Sequence, residues 1–262
     1  MILTTTPALS STPKRIISLV PSLTELLYHL GLENETAGIT KFCIHPKEWF
    51  TAKTRVGGTK TINFDTVNQL KPDLIITNKE ENVKEQVEIL AKDYPVWVTD
   101  VNTLQDALNM INDIGLLTGK VTEAVQLRQL ITEGFSRLNG KINSLKQRLR
   151  TAYLIWQDPY MTVGGNTFIS DMLLKCRLYN IFSDSNRYPE TTIAELKDRN
   201  CQLLLLASEP FPFKQKHLED LAHQLPGCKI MLVDGEMFSW YGSRLLQAPD
   251  YFAELIKRLN KG

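Results

Sequence analysis

A cysteine and a histidine in one short segment are the strongest candidates for metal chemistry. Cys43 and His45 follow Phe42 and precede Pro46, just after an apolar run typical of a β-strand. In an extended loop, residues separated by one position point the same way, and a thiolate and an imidazole can ligate zinc, cobalt or haem iron. The hypothesis is that either is an axial ligand of a cobalt or iron centre. The alternative, that Cys43 packs in the core and His45 ends the loop, is favoured because no second ligand pair matches.

The aromatic segment 237–244 is a second candidate, and it follows another apolar run. Trp240 and Tyr241 are expected to be exposed on a strand-to-helix loop, where their rings suit a flat ligand. Arg244 can pair with carboxylate or amide groups of such a ligand. Alternatively, Arg244 begins the last helix and Phe238 belongs to the core.

A comparable loop stands in the second half of the chain, at Asp158-Pro159-Tyr160, followed by Gly164 and Gly165. Glycine lets the backbone approach another group closely, so Tyr160 is a candidate for ligand contact. A phosphate cradle is disfavoured because no lysine follows at P-loop spacing.

Catalytic and structural-metal motifs are absent from the sequence. There is no GxSxG segment, and no Ser-His-Asp order can be assigned. The four cysteines are widely spaced without a CxxC pair, which argues against zinc-ribbon and thioredoxin-like sites. Three of them are expected to be reduced core residues.

Bulk properties exclude several classes of protein. A net charge of +1 over 262 residues offers no field for nucleic acid or an acidic membrane. No run reaches the roughly 18 apolar residues of a transmembrane helix. The first fourteen residues lack the features of a signal peptide. As given, the chain is therefore expected to be cytoplasmic, or periplasmic or bound to the cell envelope if already processed. A monomer is expected.

Alternating apolar and amphipathic stretches predict an α/β fold with mainly parallel strands. Seven strands are predicted: Arg15–Val20, Ala37–Thr40, Leu74–Thr77, Val96–Val98, Ala152–Trp156, Gln202–Ala207 and Ile230–Val233. Three Ser/Asn/Thr-x-x-Glu sequences predict capping boxes at helix starts: Ser22–Glu25, Asn82–Glu85 and Thr192–Glu195.

The middle of the chain has no strand signal. Apolar residues recur every three or four positions from Ala124 to Leu145. This spacing predicts one helix over Lys120–Gln147, about 40 Å long. The alternative is two shorter helices broken at Gly134 or Gly140.

Both halves of the chain place a short helix before a buried strand, at 64–77 and at 193–206. The pattern predicts two Rossmann-like lobes with mainly parallel sheets, residues 1–118 and 149–262, bridged by one long α-helix at 119–148. Clefts between such lobes are preferred sites for small ligands.

Three segments resemble one known family: SLVPSLTELLYHLG, VNQLKPDLIIT and GGNTFISDMLLKCRLYNIF. They are similar to the class III periplasmic binding proteins, the helical-backbone metal receptors of ABC importers. Within that family the cobalamin receptors are the most similar. The resemblance covers nearly all the chain from Arg15 onward, and implies two α/β lobes braced by a long helix with little hinge closure.

The resemblance also implies ligand contacts. Thr59 and Asn78 stand where the cobalamin receptors have aromatic residues. Tyr188 matches their second-lobe tryptophan, and Glu236 and Trp240 match an acidic and basic pair. The predicted ligand-binding set is Pro21, Phe42, His45, Thr59, Asn78, Tyr160, Tyr188, Glu236, Trp240, Tyr241 and Arg244, with Cys43 and His45 as candidate metal ligands.

Family members dock on the permease through one surface glutamate per lobe. Glu195 matches the second-lobe position; the first-lobe position falls at Lys84, with Glu85 beside it. The alternative is that both acids only complete their capping boxes.

The resemblance implies a solute-binding protein without catalytic activity, which binds a corrinoid between the lobes and docks on an ABC permease. No obligatory cofactor is expected. One alternative is a haem or ferric-siderophore receptor, for which Arg55, Arg187 and Arg244 are candidate contacts. Another is a cytoplasmic enzyme or scavenger in corrinoid or metal-chelate metabolism.

Overall fold

The structure is a computed structural model that describes residues 2–3, 9, 11–142 and 148–260. It contains two parallel β-sheets with helices between the strands, which confirms the predicted α/β class. The chain divides into two compact units. Unit 1 comprises residues 1–101, 105–130 and 241–244, and unit 2 comprises residues 102–104, 131–240 and 245–262.

Unit 1 is built on a six-stranded sheet. Its strands are β1 (Ile2–Leu3), β2 (Ile16–Ser18), β3 (Thr36–Ile39), β4 (Thr54–Arg55), β5 (Leu74–Asn78) and β6 (Val96–Thr99). The strand order is β1-β6-β5-β2-β3-β4. Its helices are α1 (Pro21–His29), α2 (Lys47–Ala52), α3 (Phe64–Leu70), α4 (Lys84–Asp93) and α5 (Leu104–Thr118), the last with its first residue in unit 2.

Unit 2 is built on a four-stranded sheet. Its strands are β7 (Arg150–Leu154), β8 (Tyr179–Asn180), β9 (Leu203–Ala207) and β10 (Lys229–Val233), in the order β10-β9-β7-β8. Its helices are α7 (Phe168–Lys175), α8 (Ile193–Asp198), α9 (Gln215–Gln224), α10 (Gly235–Ser239) and α11 (Ala248–Asn260). A 3₁₀ turn, Ser243–Leu246, precedes α11.

All seven predicted strands are present, with boundaries that differ by one or two residues. The sequence missed β1, β4 and β8, each of two residues and each at the edge of its sheet. A two-residue strand has no measurable periodicity, and its pairing depends on the neighbouring strand. Such strands are therefore invisible in the sequence pattern.

The internal repeat predicted at 64–77 and 193–206 includes more strands than the sequence pattern indicated. Strands β6-β5-β2-β3 and β10-β9-β7-β8 follow the same spatial order. Before β5 and β9, a left-handed residue stands three positions ahead of the strand: Lys71 with φ 45° and Asn200 with φ 52°. Each ends the turn between a short helix and its strand, so the two halves change direction by the same backbone device.

A single long helix follows α5, as predicted. This helix, α6 (Val121–Ile142), is unbroken at Gly134 and Gly140 and is about 33 Å long at 1.5 Å per residue. Its first ten residues belong to unit 1 and the remainder to unit 2. Its apolar stripe is buried as expected, at Ala124, Leu127, Ile131, Phe135, Leu138 and Ile142. The predicted extension over 143–147 lies outside the described residues.

Two of the three predicted capping boxes are wrong. α1 begins at Pro21 with Val20 at its N-cap position, and no side chain caps it. Ser22 therefore lies inside the helix, because proline at the first position is already set to the helical φ and has no N–H to satisfy. α4 likewise begins after Val83 without a side-chain cap. Thr192 does cap α8, where its hydroxyl accepts a hydrogen bond from the Glu195 amide at 3.1 Å.

Among the described residues, no helix is long and apolar enough to span a membrane.

Candidate ligand-binding site

The carboxyl edge of the unit 1 sheet brings two of the predicted ligand residues together through Asn82. The Asn82 side chain donates to the carbonyl of Thr59 at 3.0 Å and to that of Leu19 at 3.3 Å, and it accepts from the amide of Asn78 at 2.9 Å. It thus ties the end of β5 to the loop that carries Thr59. The sequence had assigned Asn82 to a helix cap, and only its position at the sheet edge reveals this role.

Asn78 and Pro21 are buried at the same sheet edge. The side-chain nitrogen of Asn78 donates to the carbonyl and the hydroxyl of Thr99, each at 3.2 Å, and its side-chain oxygen accepts from the backbone amide of Glu80 at 2.7 Å. Its polar atoms therefore hold β5 and β6 together. Thr59 is half-buried, and neither residue provides an aromatic surface.

The three candidate residues in the loop after β3, Phe42, Cys43 and His45, differ in burial. The Phe42 ring is 51% exposed, with the ammonium of Lys41 5.1 Å from its centre. Cys43 is fully buried: the Thr24 hydroxyl donates to its sulfur at 3.1 Å, and the Thr40 hydroxyl lies at the same distance. Burial raises the pKa of the Cys43 thiol. His45 is half-buried.

This geometry favours the interpretation of Cys43 as a packed core residue. A neutral, buried thiol is a poor metal ligand because ligation requires the thiolate. Within the described ranges, no three His, Cys, Asp or Glu side chains are placed to hold a metal ion together. Axial ligation by His45 stays a prediction.

In unit 2, the segments of Tyr160 and Tyr188 lie side by side. The amide of Thr191 donates to the carbonyl of Tyr160, and that of Thr162 donates to the carbonyl of Pro189, each at 2.9 Å. Both tyrosines are partly buried. Partial burial raises the pKa of Tyr160, and the nearby Asp158 and Asp220 add to the effect.

The glycines of this loop approach protein backbone. Gly164 and Gly165 donate to the carbonyls of Arg187 and Ser185, at 2.7 and 2.9 Å. A Cβ at Gly164 would lie 2.3 Å from the Ser185 carbonyl oxygen, and one at Gly165 would lie 2.2 Å from that of Ser183. Their close approach is therefore needed for folding of the loop itself.

The aromatic segment near the C-terminus is buried, so the expected exposure of Trp240 and Tyr241 is wrong. Trp240 is 6% exposed and Tyr241 is 5% exposed. The Trp240 indole donates to Glu209 at 2.9 Å. Phe238 belongs to the core, with its ring centre 5.2 Å from that of Tyr153. The rings of Trp240 and Phe238 consequently contact other side chains of the protein.

Arg244 lies in the 3₁₀ turn and not at the start of α11. Its guanidinium donates to one carboxylate oxygen of Glu25, at 2.8 and 3.1 Å. Glu236 is half-buried in α10, where its amide donates to the Asp234 side chain at 3.0 Å. The predicted roles of Arg244 and Glu236 in ligand binding stay predictions.

Sequence reasoning missed Glu209, which follows β9 at its carboxyl end. Its carboxylate accepts from Ser239 at 2.8 Å and from Trp240 at 2.9 Å. Burial raises the pKa of Glu209, and the nearby Glu236 and Asp234 raise it further. The signal was its place two residues after the apolar run 203–207, where parallel strands present ligand-facing residues.

Trp156 was also missed, because it was counted as the end of a strand. β7 ends at Leu154, so Trp156 projects beyond the sheet and is 41% exposed. Its ring centre lies 5.7 Å from that of Phe211 in an edge-to-face arrangement. Phe211 follows β9, and its amide donates to the carbonyl of Ile155 at 3.2 Å. The pair gives unit 2 an aromatic surface at the carboxyl edge of its sheet.

The two predicted docking acids have different surroundings. Glu85 is exposed in the first turn of α4. Glu195 accepts hydrogen bonds from Thr191 at 3.0 Å and from Arg199 at 2.9 Å. Arg199 also contacts Asp184 at 3.0 Å, and this guanidinium lowers the pKa of the Asp184 carboxyl.

A profile of the periplasmic binding protein family matches residues 16–222, about four-fifths of the chain. The chain belongs to the periplasmic binding protein family. It is a substrate-binding protein of an ABC transporter, and such proteins are transport receptors rather than enzymes. Membership in this family implies that the partners of the chain are a small-molecule ligand and an ABC transporter. It also means that the alternative of an enzyme is wrong.

Curated relatives are similar in sequence to this chain over most of its length. A vitamin B12-binding protein of Pectobacterium carotovorum is 25% identical over 95% of the chain and 91% of that relative. One of Vibrio parahaemolyticus is 25% identical over 73% of the chain and 70% of the relative. An uncharacterised ABC transporter substrate-binding lipoprotein of Bacillus subtilis is 26% identical over 93% and 80%.

Solved structures share the fold. The periplasmic vitamin B12-binding protein of Vibrio cholerae has a TM-score of 0.80 at 20% identity, over 95% of the chain and 99% of the other. A periplasmic haem-binding protein of Roseiflexus has a TM-score of 0.75 at 17% identity, over 94% and 100%. At these identities, the likeness establishes the fold of this receptor and leaves its ligand open.

Proposed function

We propose that this receptor binds a corrinoid of the cobalamin type and delivers it to an ABC importer. The observation that carries the proposal is the aromatic pair at the carboxyl edge of the unit 2 sheet, in which Trp156 is 41% exposed and its ring lies edge-to-face on the partly buried Phe211. Exposed aromatic faces suit a broad, flat ligand. Several curated relatives are vitamin B12-binding proteins, which supports the corrinoid as the particular flat ligand.

The arginines support a neutral ligand over an anionic one. A haem propionate or an acidic siderophore calls for cationic partners. All three candidate arginines already have interactions within the protein. Arg244 is bound to Glu25, and Arg55 stacks on Phe50, 4.6 Å from the ring centre, and donates to the Phe50 carbonyl. Corrinoid side chains are mostly amides, which need hydrogen bonds rather than charges.

On this proposal, Trp156, Tyr160 and Tyr188 contact the corrinoid from unit 2. Thr59 is the proposed polar contact in unit 1, at a position where a bulkier aromatic is missing. The smaller contact area predicts that cobinamide, which lacks the lower nucleotide loop, binds at least as well as intact cobalamin.

Calorimetric titration tests the ligand class, with cyanocobalamin, dicyanocobinamide, haemin and a ferric hydroxamate as probes. We expect both corrinoids to bind more tightly than the other two. Trp156→Ala should weaken corrinoid binding on the order of tenfold, since one stacked ring contributes about 0.5–1.5 kcal/mol beyond its buried area. Tighter binding of haemin or the hydroxamate would contradict the proposal.

Tyr179→Ala is the matched control. Tyr179 is 44% exposed, at the start of β8 and so at the opposite edge of the same sheet, where Arg150 lies over its ring. It should bind corrinoids as the unaltered protein does. Equal losses in both variants would remove Trp156 from the site.

Docking through Glu85 and Glu195 is a separate part of the proposal. Glu85→Ala and Glu195→Ala should bind corrinoid normally but stimulate the cognate transporter less, in an ATPase assay with the transporter in proteoliposomes. Glu254→Ala, an exposed acid on α11 with 61% side-chain exposure, is the control. Normal stimulation by both variants would leave the two acids with purely local roles.

A further inference from the structure

Two cysteines of unit 2 lie together at the amino edge of its sheet. Cys201 comes two residues before β9, and Cys228 comes immediately before β10. Their sulfur atoms are 3.8 Å apart, and both residues are partly exposed. The edge is opposite to the one that carries Trp156 and Glu209, so ligand binding as proposed above does not account for this pair.

The surrounding backbone holds the two cysteines in place. The Cys201 amide donates to the carbonyl of Leu196 at 2.9 Å, and the Cys228 amide donates to that of Leu225 at 3.1 Å. β9 and β10 are neighbouring parallel strands, with Leu203 paired to Lys229. Cys201 stands two residues before Leu203 and Cys228 one residue before Lys229, so the two cysteines are offset by one residue. One residue is about 3.3 Å along strands that lie about 4.8 Å apart, and the resulting diagonal falls within the Cα separation of about 4.4–6.8 Å that disulfides span. Rotation of the side chains can therefore bring the sulfurs together without moving the strands.

Chemical surroundings separate this pair from the other two cysteines. The Cys228 thiol donates a hydrogen bond to the Cys201 sulfur, and this bond, with the nearby Arg150 cation, lowers the pKa of Cys201. Cys43 and Cys176 are fully buried, and burial raises the pKa of both thiols. Because the thiolate is the reactive form, Cys201 is the thiol most prepared to attack a disulfide.

We propose that Cys201 and Cys228 form an oxidation site that closes to an intramolecular disulfide on contact with a small-molecule or protein disulfide. The Cys201 thiolate attacks the external S–S bond, forms a mixed disulfide and releases one external thiol, which takes up a proton. Cys228 then loses its proton and attacks the Cys201 sulfur, and the second external thiol leaves. Two protein thiols are oxidised, and one external disulfide is reduced to two thiols.

The bond would connect the turn before β9 to the turn before β10 and close the loop 201–228. Closing a loop of this length restricts the unfolded chain and raises stability. For a chain of this size, we expect the melting temperature to rise by about 5 °C. Corrinoid affinity should not change, because the bond forms at the edge of the sheet away from the proposed ligand contacts.

Oxidised glutathione tests the proposal on the folded protein. After incubation and alkylation, peptide mass spectrometry should find the Cys201 and Cys228 peptides joined, with a mass lower by two hydrogens. Cys43 and Cys176 should remain alkylated thiols, which makes them internal controls. Oxidation should raise the melting temperature of the unaltered protein but not that of Cys201→Ser or Cys228→Ser.

Three results would overturn the proposal. The first is the absence of a joined peptide when the protein is folded. The second is stable glutathione adducts on both cysteines in place of the bond. The third is a cross-link between two chains, seen as a dimer on a non-reducing gel.

Discussion

Arg244 and Glu25 form an ion pair that joins residues 219 positions apart within unit 1. Both nitrogen atoms of Arg244 that take part, Nε and Nη2, donate to the same Glu25 oxygen. The two side chains are only 12% and 15% exposed. The short segment 241–244 is thereby fixed to α1, and the backbone of Gly242 packs against Ser22.

Breaking this pair should destabilise the protein. Arg244→Met and Glu25→Gln are each expected to lower the unfolding free energy by about 2–3 kcal/mol, because either change removes the opposite charge from a largely buried charged group. The double variant should lose less than the sum of the two single losses. Urea unfolding of all four proteins measures the coupling.

Glu254→Ala supplies the comparison, because its ion pair with Lys257 is 61% exposed on both sides. It should change stability by less than about 0.5 kcal/mol. A similarly small effect for Arg244→Met would show that the Glu25 contact contributes little to stability.

Glu209 should make stability depend on pH. Its pKa in the folded protein lies above its ordinary value of 4.5, chiefly because of burial. Between these two values, the folded state holds more protons than the unfolded state, so stability falls as pH rises through this window. Glu209→Gln keeps an oxygen acceptor for Trp240 and removes the charge.

Urea unfolding at a series of pH values from 4 to 8 tests this expectation. The stability of the unaltered protein should fall relative to Glu209→Gln as pH rises above about 4.5. Parallel curves for the two proteins over the whole range would show that Glu209 titrates alike when folded and unfolded.

Two glycines in helices should respond oppositely to alanine. A Cβ at Gly115 would lie 2.5 Å from that of Ala124, where α5 packs against α6. Gly115→Ala should therefore destabilise by about 1–3 kcal/mol through overpacking. At Gly140, no atom of the described residues outside its own helical turn lies within 4 Å of an added Cβ, so Gly140→Ala should stabilise by about 0.5 kcal/mol through helix propensity. Thermal unfolding of the two variants measures whether each substitution raises or lowers stability. Destabilisation at both sites would be inconsistent with this packing.

Absorption spectra can show whether Cys43 or His45 ligates the metal of a bound corrinoid or haem. Cys43→Ala should leave the visible spectrum of a bound corrinoid or haem unchanged, because its sulfur is buried between Thr24 and Thr40. His45→Ala should shift the spectrum if its imidazole is the axial ligand. An unchanged spectrum would reject His45 as a ligand, whereas a shift in Cys43→Ala alone would reverse the assignment.

The sequence by itself determined the element types and the repeat. Long apolar runs such as 203–207 are buried on both faces of a parallel sheet, so their strands can be read without any partner. The stripe of α6 likewise follows from a 3.6-residue period. Family membership was also recognisable, because it depends on such local segments in their order along the chain.

Tertiary structure alone decided what the polar and aromatic side chains do. Asn82 and Glu25 carry capping-box patterns, but they bind Thr59 and Arg244, which other parts of the chain bring near. Trp240 is buried although exposure was expected, because its indole is held by Glu209. Trp156 is exposed because β7 ends before the predicted strand does. The pairing of Cys201 with Cys228 has the same origin, since strand adjacency brings together residues 27 positions apart. Backbone periodicity is a local property, whereas the partner of a side chain is set by long-range packing.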